Sequence, residues 1–111
     1  MNTRVEYLYR DADNYKVYNV CVISGMLTQE QRQAICGCLD MGEFFIPSAV
    51  GLPENRFSDI TEADHCWFEM CANPFEDTLA EPTVGITSDE LVAAFQRCKN
   101  NWPESEWAGC Q

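Results

Sequence analysis

Three groups of side chains could do chemistry in this sequence: one histidine, seven cysteines and a crowd of carboxylates. Cys36-Gly37-Cys38, and His65-Cys66 with Cys71, are the soft-ligand candidates for zinc. Zinc sites favour two or more residues between paired cysteines. On a helix Cys36 and Cys38 would lie about 200° apart, and on a strand His65 and Cys66 would point to opposite faces. Neither pair closes on one ion, so Cys21, Cys38, Cys66 and Cys98 read as small core thiols. No metal and no other cofactor is expected.

A cysteine–histidine nucleophile would have to be assembled by folding alone, because no family signature surrounds His65 or any cysteine. A strand histidine that is exposed, or bonded to Asp64 or Glu69, explains His65 equally well. The paired acids Glu62/Asp64, Glu76/Asp77 and Asp89/Glu90 lack the spaced ladder and central glycine of a calcium loop. The six glycines are scattered and form no phosphate-cradling loop. The chain is therefore not expected to be an enzyme.

The elements that must carry these residues are legible from patterning. In residues 4–10, Val5, Tyr7 and Tyr9 alternate with Arg4, Glu6 and Arg10, which is strand periodicity in good β-formers. A turn cluster follows at 11–14. Residues 16–24 are β-branched and apolar on both faces, so a second, antiparallel and more central strand is expected. Thr28 and Gln31 form a capping box with Leu27 as a staple, and Ala34, Ile35, Cys38 and Leu39 make the apolar stripe of a helix that Gly42 should end. Residues 44–46 read as a short extended piece, followed by a loop packed by its own side chains.

Residues 54–64 read as irregular. Residues 65–71 should be a strand, with Cys66, Phe68 and Met70 on one face and His65, Trp67 and Glu69 on the other. Residues 73–82 read as a loop between Asn73-Pro74 and Glu81-Pro82. A second capping box at Thr87 and Glu90 opens a helix whose Leu91, Val92, Phe95, Cys98 and Trp102 share a face. The whole is expected to be one α+β domain over residues 1–103. It has a small antiparallel sheet of three to four strands with two helices packed on it. Residues 104–111 form a polar tail, apolar only at Trp107.

Charge narrows the partner. The net charge is −11, and residues 54–90 hold ten acids against one base, Arg56. Such a chain repels nucleic-acid phosphates and anionic membranes and attracts basic proteins. Charge that serves only solubility is the competing account. No apolar run approaches a membrane span, and the N-terminus has no signal-peptide core. A reducing, cytoplasmic location is expected, with the cysteines as free thiols. Trp67 beside Glu69 and His65 could dock a cation, or could instead lie beneath the 44–52 loop.

Three blocks, YLYRDADNYK at 7–16, EFFIPSAVGLPE at 43–54 and DHCWFEM at 64–70, together resemble a group of small acidic proteins encoded by bacterial phages and mobile elements. That neighbourhood includes anti-CRISPR proteins, several of which occupy nucleic-acid channels. The resemblance implies a setting in a bacterial host's cytoplasm; it assigns no role to any residue. The expectation is a non-catalytic acidic inhibitor of the anti-CRISPR or DNA-mimic type. Asp59, Glu62, Asp64, Glu69, Glu76, Asp77 and Glu81, with Trp67 as anchor, would face a basic groove on a nuclease. The alternative is a small accessory interaction domain, monomeric or homodimeric, whose acidity serves solubility.

Overall fold

The structure is a computed structural model and describes residues 1–57 and 63–104. Four strands and two α-helices make one α+β unit: β1 (Asn2–Arg10), β2 (Lys16–Ile23), α1 (Gln29–Cys36), β3 (Phe44–Phe45), β4 (Phe68–Thr78) and α2 (Ser88–Cys98). The sheet is antiparallel, in the order β2-β1-β4-β3. Strand alternation sorts β1 cleanly. Val5, Tyr7 and Tyr9 are fully buried on one face. Arg4, Glu6 and Arg10 stay partly exposed on the opposite face.

Both helices begin at the capping boxes expected from the sequence. Thr28 accepts from the Gln31 amide and Gln31 reaches back to the Thr28 amide; Thr87 and Glu90 do the same for α2. Leu27, Ile35, Leu91, Ala94 and Phe95 pack into the core with Tyr7, Phe45, Phe68 and Phe75. Val92, Cys98 and Trp102 close its flank.

Four expectations need correction. β2 is an edge strand, not a central one, and Tyr18 and Val20 on it are 65% and 49% exposed. Its apolar outward residues satisfied the same pattern a central strand would show. α1 ends at Cys36 with Gly37 in right-handed geometry, while Gly42, at φ 75°, serves the following turn. The loop expected after Phe45 contains a single 3-10 turn at Pro47–Val50, with proline at its favoured start.

The fourth correction concerns β4. It starts at Phe68 rather than His65 and runs on to Thr78, through much of the segment read as a loop. Pro74 is tolerated because it falls in a bulge. Val5 faces Phe75 and Tyr7 faces Met70, so residues 71–74 all oppose Glu6. The expected tail at 105–111, Trp107 included, lies outside the described residues.

Candidate functional site

The acids singled out from the sequence fall at two ends of the sheet. Asp59 and Glu62 lie outside the described residues. Asp64, Trp67 and Glu69 stand at the Arg10 end of β1, and Glu76, Asp77 and Glu81 at the Asn2 end. Arg4 to Tyr9 alone spans about 17 Å of extended strand. The six described candidates therefore do not make one patch.

At the Arg10 end the charged groups hold the fold together. Arg56 lies 4.8 Å from the ring centres of both Tyr9 and Phe68. It donates to the His65 and Cys66 carbonyls and pairs with Glu54 at 3.2 Å. Glu54 spends its other oxygen on the Ser48 amide. Tyr9 donates its hydroxyl to Asp64 and accepts the His65 amide. Burial foremost, then the bond to Asp64, pushes the Tyr9 phenol up to about 12.

His65 is similarly committed. Its Nδ1 faces the Trp67 N–H at 3.1 Å and its Nε2 the Arg10 carbonyl at 2.7 Å. An N–H can only donate and a carbonyl can only accept, so the proton sits on Nε2. Both ring nitrogens serve the backbone, leaving neither to act as a general base. Glu69 holds Arg10 at 2.8 Å. Trp67 is half-buried and packs edge-on to Trp102 at 6.5 Å. The cation cradle read around Trp67 thus has its carboxylate already occupied.

Five of the described cysteines are held toward the neutral thiol. Burial pushes the Cys21 thiol up to about 11 and raises those of Cys36, Cys38, Cys71 and Cys98. Among the described residues no three His, Cys, Asp or Glu side chains gather as metal ligands. An open cleft of about 260 Å³ lies between α1 and the β4 bulge. Arg32 on its wall is spent on Asp77 at 2.7 Å and on the Leu27 and Phe75 carbonyls.

The Asn2 end differs. Here β4 finishes and both helices start side by side: Gln31 donates to Asp89 at 2.9 Å, and Gly25 approaches Ser88. Glu30, Glu76, Asp77, Glu81, Asp89 and Glu90 are all exposed. Arg4 reaches Glu76 at 3.8 Å and Arg32 reaches Asp77. Glu30, Glu81, Asp89 and Glu90 have no arginine or lysine partner among the described residues. Asp89 and Glu90 were legible as helix-start acids; that Glu30 joins them depends on α1 and α2 beginning together. No helix of the described residues is long and apolar enough to cross a membrane. No protein-family model, curated protein or solved structure matches the chain.

Proposed function

We propose that the protein is a non-catalytic acidic binding protein of the anti-CRISPR or DNA-mimic type, engaging the basic nucleic-acid groove of a target nuclease. One observation carries this reading. Glu30, Glu81, Asp89 and Glu90 are exposed and without an arginine or lysine partner among the described residues, on the end of the fold that also carries Glu76 and Asp77. Arg4 and Arg32 pair with the latter two, and Arg97 lines a cleft with Glu90. Uncompensated surface charge of one sign steers an oppositely charged partner and is screened by salt. The contact set shifts accordingly from the sequence-based one: Glu76, Asp77 and Glu81 remain in it, while Asp64, Trp67 and Glu69 serve the fold.

The test is competition with a labelled DNA duplex for a panel of CRISPR effector nucleases. The wild-type chain should displace DNA, and the Glu30→Lys/Glu81→Lys variant should lose at least tenfold in potency. Neither side chain has an ion-pair partner among the described residues. Placing lysine in the first turn of α1 costs about 1 kcal/mol against the helix dipole, and circular dichroism checks that the variant is folded. Displacement that survives about 0.5 M salt, where the Debye length is near 4 Å, would refute electrostatic mimicry.

A second reading, the accessory interaction domain, draws support from a separate observation. Arg4 already pairs with Glu6 and more loosely with Glu76, Arg10 with Glu69, Arg32 with Asp77 and Arg56 with Glu54. A domain of that kind would keep its partner after both charge reversals.

A further inference from the structure

Among the described residues, the outer edge of β2 is closed along half its length and open along the rest. The Val22 amide donates to Thr83 Oγ1 at 2.8 Å and its carbonyl accepts the Thr83 N–H at 2.9 Å. The Ser24 amide donates to the Ile86 carbonyl at 3.2 Å, and its carbonyl accepts the Ser88 N–H at 2.8 Å. Main-chain groups of alternate residues in an antiparallel strand face the same way. Lys16, Tyr18 and Val20 therefore also direct their N–H and C=O groups away from β1. None of these groups has a partner among the described residues.

We propose that this open edge pairs with the same edge of a second copy of the chain. The two-fold axis passes through Tyr18 and joins two four-stranded sheets into one. Three features select a second copy. First, centring on Tyr18 sets Lys16 against the second copy's Val20, and Tyr18 against its own equivalent. All three open residues are used and none meets Val22, which Thr83 has taken. Moving the axis toward Val20 would collide with Thr83; moving it toward Lys16 would face Val20 with Asn14, whose φ of 69° is not extended.

Second, Tyr18 and Val20 are exposed large apolar side chains on the uncovered face of the sheet. Across a paired edge they become neighbours of the kind that stabilises sheets. Third, the charges complement one another. Val20 lies beside Glu6 on β1. The second copy's Lys16 would sit next to Val20, about 10 Å from Glu6 across two strand spacings, which extended side chains can close. Lys16 has no carboxylate partner among the described residues. A charged residue on an open edge ordinarily discourages pairing; here the two-fold brings it toward Glu6, which Arg4 already holds at 2.9 Å, so the second copy's Lys16 would join that pair rather than meet a free acid.

Each copy carries −11, so the copies repel at long range. Added salt screens that repulsion, and dimerisation should tighten as salt rises from about 0.05 to about 0.5 M. That is opposite to the response expected of the acidic end, so the two ideas fail separately. The experiment is sedimentation equilibrium at both salts on wild type, Tyr18→Phe, Tyr18→Glu and Lys16→Glu, with circular dichroism as a folding check.

Wild type and Tyr18→Phe should show twice the 12.6 kDa chain mass. Tyr18→Glu brings like charges together on the axis, and Lys16→Glu sets an acid near Glu6. Each should weaken association at least tenfold, with the amides of Tyr18 and Val20 losing hydrogen-exchange protection. Should Tyr18→Glu fail to fold, Lys16→Glu alone decides. A 12.6 kDa species at both salts overturns the proposal. So does a dimer untouched by the folded variants, or wild-type monomers that lose a heterologous partner on Tyr18→Glu, which would give the edge to that partner's strand.

Discussion

Replacing Arg56 should damage this protein more than replacing any other arginine. Its side chain is 11% exposed and that of Glu54 18% exposed, so the ion pair lies mostly out of water. Removing one member of such a pair costs about 3–5 kcal/mol, largely because the other charge stays buried without its partner. The stack over Tyr9 and Phe68 adds about 1 kcal/mol, and the His65 and Cys66 carbonyls lose a charged donor. Since the terms overlap, we expect a loss of about 4 kcal/mol for Arg56→Ala, a large part of the roughly 5–15 kcal/mol a domain possesses. Arg56→Lys keeps the charge but loses the planar fork, and should fall between.

The assay is equilibrium urea unfolding followed by tryptophan fluorescence. With a slope of about 2 kcal/mol per molar, Arg56→Ala lowers the midpoint by about 2 M. The control is Arg97→Ala. Arg97 is exposed and pairs with no carboxylate among the described residues, so its loss should stay within about 0.5 kcal/mol. If Arg56→Ala moves the midpoint no further than Arg97→Ala does, Arg56 is not the pin described here.

Two further outcomes follow from the same contacts. Thr28→Ala and Thr87→Ala each remove a reciprocal cap and should cost about 1 kcal/mol, seen as a fall of about 5 °C in melting temperature. The folded Tyr9 phenol titrates at about 12, above the roughly 10 of an unfolded chain. Its contribution is whole below pH 10 and lost as the pH rises toward 12, because the unfolded chain releases the proton first. Tyr15 and Tyr18 are exposed and also absorb as tyrosinate, so the Tyr9 signal is the absorbance difference between wild type and Tyr9→Phe. That difference should appear together with the loss of circular dichroism within the window, and Tyr9→Phe should soften the transition. The difference appearing with the dichroism unchanged would show that Tyr9 ionises within the fold.

The sequence by itself settled what neighbouring residues decide. The alternation around Val5, Tyr7 and Tyr9 sets the face of β1, and the boxes at Thr28 and Thr87 start both helices, because each signal lies within a few residues. β4 was harder, since Pro74 reads as a strand breaker until Glu6 is seen opposite a bulge that excuses it. β2 was misjudged for a related reason. An outward apolar residue looks the same whether a strand or water lies beyond it.

Tertiary structure alone determined which charges meet. Arg10 finds Glu69, Arg32 finds Asp77 and Arg56 turns inward to Glu54, so an acidic stretch of sequence is not one acidic surface. Coulomb energy follows distance in space. Sheet order and the packing of the two helices set those distances across dozens of residues of chain. The same packing set Gln31 against Asp89 and left the edge at Tyr18 without a main-chain partner among the described residues, and neither fact has a local signature.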